Sequence, residues 1–204
     1  MNFNKHLHLA GQHAFLSASK YHWVNYDDEK LIVTFDKYMA AQKGTELHEF
    51  ACRAIDLRVK IQTPKLLKLY VNDAIGFKMT TEQMLYYSDN CFGTADTISF
   101  NKNFLRIHDL KTGITPASIK QLEVYTALFC LEYNMKPTEI DIELRLYQSD
   151  EILVHHPEPD DIFRIIEKII AFDKLIEKIK IANGVDKQSV GGDLKKLLSI
   201  IQGG

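Results

Sequence analysis

Two periods of apolar residues divide this chain into elements. From about Asp36 to Leu57 apolar positions recur at helical spacing, with Leu47, Ala51 and Ala54 on one line and His48, Cys52 and Ile55 on another. Before that, the stretch to about Tyr26 is mixed and carries the polar cluster Ser17, Ser19 and Lys20. Asp27-Asp28-Glu29 reads as a turn, and Leu31 to Phe35 as a short β-rich run. Pro64 opens a second helix to about Ala74, since proline is tolerated in a first turn. Met84–Ser88 and Phe92–Phe100 read as strands joined by the turn Asp89-Asn90. A second turn, Asn101-Lys102-Asn103, leads into a third strand, Phe104–Leu110, ended by Lys111-Thr112-Gly113. Pro116 heads a helix from about Thr115 to Tyr133. Glu139–Tyr147 alternates, with Ile140, Ile142, Leu144 and Leu146 on one side, the mark of a half-buried strand. Ile152–His155 is its candidate partner, and Pro157 and Pro159 lead into a long helix from Asp160 to Ala182. Helix, three strands, helix, strand predicts an α/β domain with a mixed sheet.

Length and composition narrow the class. The 204 residues suit one domain, expected over 1–182, with 183–204 as a linker and a short amphipathic segment, Leu194–Ile201. Apolar residues at 46% and charged residues at 25% are those of a globular chain, and exclude a collagenous, low-complexity or wholly disordered one. No apolar run approaches the roughly 18 residues that cross a bilayer, so no membrane partner is expected. The opening MNFNKHLHLAGQH lacks the apolar core of a signal peptide, which points to the cytoplasm. Cys52, Cys91 and Cys130 contain no CxxC pair, which argues against a disulfide framework, a zinc finger or an iron–sulfur cluster. Each is expected to be a small buried hydrophobe. No Walker-type loop is present.

The net charge of −2 hides an asymmetry. Residues 1–80 carry 11 Lys+Arg against 8 Asp+Glu, whereas residues 81–150 carry 6 against 10. Within the acidic third, Gly93-Thr94-Ala95-Asp96 lies in one strand and Ile107-His108-Asp109-Leu110-Lys111 in the next. Strand positions two apart face one side, so Asp109 and Lys111 point together while His108 and Leu110 point away. In a hairpin Asp96 can lie beside Asp109. Adjacent carboxylates repel unless neutralised, and oxygen ligands favour Mg²⁺ or Mn²⁺ over zinc. A lysine there could stabilise a metal-bound hydroxide or charge building on a phosphate. The plainer alternatives are an exposed hairpin or a structural ion pair. Taken singly, His48 reads as a structural histidine, and Gln121 and Tyr125, one helical turn apart, as a surface polar residue and a rim aromatic. His6, His8 and His13 fall in a tail, His108 is expected to be structural, and His155-His156 to lie at the surface. Glu49 is about 100° round the helix from His48, which leaves it a weak supporting role. The stripe Ile162, Ile165, Ile166, Ile169, Ile170 and Phe172 packs on the sheet or forms an oligomer surface.

Together and in this order, Gly44 with His48, Gly93 with Asp96, Asp109 with Lys111, and Gln121 with Tyr125 resemble the RecB-like branch of the PD-(D/E)xK nuclease superfamily over roughly residues 15–150. Leu16-Ser17-Ala18-Ser19-Lys20 resembles the Ser-containing N-terminal segment of these enzymes. The small size looks most like phage-encoded exonucleases of the lambda-exonuclease kind. The resemblance implies a restriction-endonuclease-like core, a mixed central β-sheet flanked by helices, with an extra C-terminal helix. It implies catalytic Asp96, Asp109 and Lys111. His48, Asp96, Asp109 and the carbonyl of Leu110 would ligate one or two Mg²⁺ or Mn²⁺ ions. Gln121, Tyr125, Ser19 and Lys20 would contact DNA or support the site. The implied activity is hydrolysis of DNA phosphodiester bonds, as an exonuclease processing ends in phage-type recombination or repair, inside a bacterial host cell. A homo-oligomer and a single-strand annealing protein are the further partners it implies. A structure-specific endonuclease of the same fold, or a non-catalytic DNA- or protein-binding module, are the alternatives. Two departures stand out. The second acid is Asp109 rather than the commoner Glu, and the cysteines do not match the four-cysteine iron–sulfur pattern of some members.

Overall fold

The structure, a computed structural model, describes residues 5–9, 11–113 and 115–183. Helix α1 runs from Asp28 to Asp56. Asp27 caps it, its carboxylate accepting from the Lys30 amide at 2.8 Å, and Asp28 and Glu29 add negative charge to the first turn. The expected turn is therefore a helix cap, and the expected strand at Leu31–Phe35 is helix. Once a capped nucleus exists, each further residue costs little, so the β-branched Ile32, Val33 and Thr34 are carried along. Phe15 supports this half from outside, with ring centroids 5.1 Å from Phe35 and 5.2 Å from Tyr38. Helix α2, Lys65–Gly76, follows Pro64 and buries Leu67, Tyr70, Val71 and Ala74 on one face.

Five strands follow, with α3 between the third and fourth. They are β1 (Thr80–Ser88), β2 (Cys91–Asn101), β3 (Phe104–Lys111), β4 (Asp141–Gln148) and β5 (Glu151–His155). The sheet order is β1-β2-β3-β4-β5, antiparallel except for the parallel pair β3–β4. That parallel pair requires a crossover, which helix α3 (Lys120–Glu132) supplies. This helix begins later than Pro116 suggests. Gln148, at the end of β4, donates to the carbonyls of Gly113 and Thr115 and accepts from the Ala117 amide. Those bonds satisfy the preceding backbone as a loop. Helix α4, Pro159–Ala182, packs beside α3.

The architecture is thus α/β, a five-stranded mixed sheet flanked by helices. One apolar cluster joins Leu85, Leu105 and Ile107 to Leu122, Leu128 and Ile162 from α3 and α4. A second joins Leu110 and Tyr147 to Ala51 and Ile55 of α1 and Tyr70 and Val71 of α2. Alternation along β3 divides its side chains between the two layers. Among the described residues no helix is long and apolar enough to cross a membrane. Residues 184–192 and the amphipathic Leu194–Ile201 lie outside the described residues.

Candidate functional site

The site forms where the sheet loosens. The β2–β3 ladder runs from Asn101–Phe104 to Thr97–His108 and stops there. One step beyond lie Asp96 and Asp109. Asp96 turns its carboxylate to β3 and accepts from the Leu110 amide at 3.0 Å. A side chain so takes up a backbone donor beyond the end of that ladder, and the bond fixes the carboxylate's direction.

Asp109 and Lys111 share a side of β3, as their spacing predicts. Lys111 Nζ donates to Asp109 Oδ1 at 3.0 Å, lies 2.9 Å from Oδ2, and donates to Gln121 Oε1 at 3.0 Å. Gln121 Nε2 donates to Tyr125 Oη at 3.0 Å. One chain of contacts therefore runs from the sheet to α3. His48, on α1, places Nδ1 3.5 Å from Asp96 Oδ2. Two helices and two strands thus deliver His48, Asp96, Asp109, Lys111, Gln121 and Tyr125 to one place.

The two glycines that precede these residues allow close approach. A Cβ on Gly44 would stand 2.8 Å from Thr112 Oγ1, and one on Gly93 would stand 2.9 Å from Tyr125 Cε1. Gly44 lets α1 lie against the end of β3, and Gly93 lets α3 lie against β2.

Electrostatics mark the pair. Burial raises the Asp96 carboxyl above its ordinary range, opposed by the Leu110 amide, His48 and Lys111. Burial also raises Asp109, helped by repulsion from Asp96 and opposed by Lys111. Asp109 is 1% exposed, and its buried Oδ2 lies 2.9 Å from the Lys111 ammonium. Among the described residues no three His, Cys, Asp or Glu side chains form a closed metal cluster. Two carboxylates and an imidazole nonetheless offer donors that suit a hard divalent cation, with the Lys111 ammonium beside the Asp109 carboxylate.

A cavity of about 840 Å³ opens beside the site, lined among others by Gly44, His48, Glu49, Glu82 and Thr112. Glu82 escaped the sequence reading. The β1–β2 register pairs Thr81 with Thr97 and Gln83 with Ala95, which leaves Glu82 across from Asp96, with φ +47°. Its charge pushes the Asp96 carboxyl further up. The sequence signal was the polar run Thr80-Thr81-Glu82-Gln83, which looks like a loop before a strand expected only from Met84.

Other expectations change. Cys52 is a half-buried residue of the cavity wall rather than a core hydrophobe. Its Sγ contacts Glu82 Oε1 at 3.4 Å, and burial, then Glu82, pushes the thiol up to about 12. Cys91 is also half-buried; Cys130 is buried as expected. His155 is not a free surface group, since its Nε2 meets the buried Glu123 at 3.1 Å, while His156 is exposed and meets the Ile142 carbonyl at 2.8 Å. Ser19 and Lys20 are exposed in a short 3-10 segment, Ala18–Asn25; Ser19 Oγ pairs with Ser17 Oγ at 2.8 Å, and neither residue lines the cavity. His108 faces away, as its position predicts. It is fully buried, with its ring against Phe77 and Tyr147.

No family model matches the chain, and no curated protein does. A solved structure described as a crystal structure of SSO0001 aligns with 15% identity and a TM-score of 0.31. The alignment covers 52% of this chain and 56% of that one, so this chain spans little more than half the length of that structure.

Proposed function

We propose that this chain is a metal-dependent deoxyribonuclease of the PD-(D/E)xK type, most simply an exonuclease acting at DNA ends. The observation that carries the reading is the convergence of Asp96 and Asp109 from neighbouring strands with Lys111 between Asp109 and Gln121. His48, Asp96, Asp109 and the Leu110 carbonyl would hold Mg²⁺ or Mn²⁺. When bound, such a cation offsets charge on a phosphate oxygen and acidifies a water molecule.

The chain's own groups then have separable tasks. The Leu110 amide fixes Asp96. Gln121 holds Lys111 from one side and Asp109 from the other, so the ammonium is presented with one rotamer already selected. Its remaining hydrogen-bond capacity is available to orient the attacking water and to offset charge on the phosphate. Tyr125 holds Gln121 in turn. Hydrolysis breaks one phosphorus–oxygen bond and leaves a phosphate monoester and a hydroxyl. Ser19 and Lys20, exposed on the N-terminal segment, are assigned to a DNA phosphate. The assignment to DNA ends rests on the motif resemblance.

The test uses end-labelled linear DNA and closed circular DNA with Mg²⁺, Mn²⁺ or EDTA, comparing the wild-type chain with Lys111→Ala. Metal-dependent loss of linear DNA alone, abolished in the variant, is the expected result. Cutting of the circle would make the protein an endonuclease. Binding without cleavage of either DNA would leave a non-catalytic module and overturn the enzyme reading.

A further inference from the structure

The basic excess of residues 1–80 is concentrated in one segment. Residues 53–68 carry five Lys+Arg against one Asp. Arg53 lies in the last turn of α1. Arg58 lies just past its end, where the chain turns with φ +57° and the Val59 amide returns to the Ala54 carbonyl. Lys60 follows in the connection to α2, and Lys65 and Lys68 lie in the first turn of that helix. The connection is pinned: Asn72 of α2 donates to the Ile61 carbonyl at 3.0 Å and accepts from the Ile61 amide at 3.1 Å. Positions 65, 68 and 72 share one face of α2, away from the buried Leu67, Tyr70 and Ala74. The chain that carries Lys60 is therefore held along the face that carries Lys65 and Lys68.

None of these five charges is spent inside the molecule. Every salt bridge among the described residues uses other cations. The one carboxylate of the segment, Asp56, accepts from the Thr81 hydroxyl at 2.7 Å. Nor do the two lysines serve their helix. The positive end of the helix dipole disfavours cations in a first turn, and no acidic residue accompanies them there. Unpaired like charges held together repel, and a polyanion relieves that repulsion. The surface also meets the candidate site. Arg53 lines the cavity of about 840 Å³ together with His48 and Glu82, and among the described residues lining it Arg53 is the one Lys or Arg. A strand with a phosphate at Asp96 and Asp109 can pass Arg53 and continue over the end of α1. Leu57 and Val59, 74% and 54% exposed, stand among the cations and offer apolar contact to sugars and bases.

We propose that Arg53, Arg58, Lys60, Lys65 and Lys68 bind backbone phosphates of the DNA strand outside the candidate site, which makes the end of α1 and the start of α2 its docking surface. The identity of the polyanion rests on the nuclease reading. The test titrates a fluorescein-labelled single-stranded oligonucleotide, with its duplex in parallel, at salt from about 50 to 200 mM, in the Lys111→Ala background so that the probe stays whole. Lys60→Ala with Lys65→Ala and Lys68→Ala should reduce the slope of log affinity against log salt by about two on the single strand, at about 0.7 per phosphate contact, and Arg53→Ala by about 0.7. Arginine at 60, 65 and 68 should keep the slope. Lys174→Ala with Lys178→Ala, two exposed lysines of α4, should leave it unchanged. A slope that the triple variant does not alter, or that the α4 pair reduces equally, overturns the proposal. So does a parent chain that binds vesicles of phosphatidylserine and phosphatidylcholine but neither DNA. Cleavage by the wild type with an unaltered slope would sink this surface and leave the enzyme. A reduced slope without cleavage would sink the enzyme and leave the surface.

Discussion

The two faces of β3 carry polar clusters of opposite character. On the His108 side the charged groups pair with one another, while His108 Nε2 itself is buried without a hydrogen-bond partner. Arg145 donates to Asp73 at 3.0 Å and to Glu143 at 3.0 Å; Arg106 donates to Glu143 at 3.1 Å; and Tyr147 Oη donates to Asp73 at 2.7 Å. Two guanidinium groups answer two carboxylates. On the Asp109 side Asp96, Asp109 and Glu82 face one ammonium, Lys111, and one imidazole, His48. A cluster whose charges balance needs no further ion, whereas an excess of carboxylates beside an open cavity is a cost that a bound cation would relieve. The difference separates a structural ion network from a candidate chemical site.

Lys111→Ala should break the second cluster most severely. Cleavage is expected to fall about 10²–10³-fold, with the circular dichroism of the folded chain retained. An unchanged rate would remove Lys111 from the chemistry. Arg145→Ala attacks the other cluster. Its partners are only partly buried, so the expected loss is about 1–3 kcal/mol in a denaturant titration. Cleavage below the lowered melting temperature should stay within about threefold, since Arg145 touches none of the site groups.

The two faces should also respond to pH in opposite directions. Asp96 and Asp109 are raised in the folded chain, so without a cation the folded state binds more protons than the unfolded state. Their contribution to stability therefore falls as pH rises past the ordinary value of 3.8. His108 is lowered from 6.5 to about 3, first by burial and then by Arg145 and Arg106. Between those values the unfolded state binds the proton, so stability falls as pH drops. Asp109→Asn should raise the cation-free melting temperature at pH 7 by about 2–4 °C. His108→Gln should flatten the acid side of the curve. Melting curves across pH check both, and equal slopes in wild type and variants would undo the assignment.

The smallest effects concern packing. Gly93→Ala should shift the Tyr125 ring and with it Gln121, lowering cleavage several-fold and stability by about 1 kcal/mol. Gly44→Ala should cost less, because the contacting Thr112 hydroxyl can rotate away. Equal losses in cleavage would mean that Tyr125 does not position Gln121.

Alternation and turn residues made the sheet and its hairpins readable, and the two-residue spacing made the Asp109–Lys111 pairing readable. Local propensity misled at Leu31–Phe35, where the Asp27 cap governs. Glu82 was hidden because the polar run Thr80-Thr81-Glu82-Gln83 reads as a loop, whereas it belongs to β1 and its register sets Glu82 across from Asp96. The glycines at 44 and 93 could be found by pattern, but their reason, Thr112 and Tyr125 arriving from elsewhere, is tertiary. Cys52 and His155 were misjudged alike, since each is placed by a partner distant in sequence, Glu82 and Glu123.

The most direct test of the cation claim is a Mn²⁺ titration of the wild-type chain, Asp96→Asn and Asp109→Asn, followed by electron paramagnetic resonance at pH 7 and pH 5. Saturable binding by the wild type is expected, weaker at pH 5 because protons compete for the raised carboxyls, and lost in both variants. Binding that is absent in the wild type, or unaltered by either substitution, would contradict it.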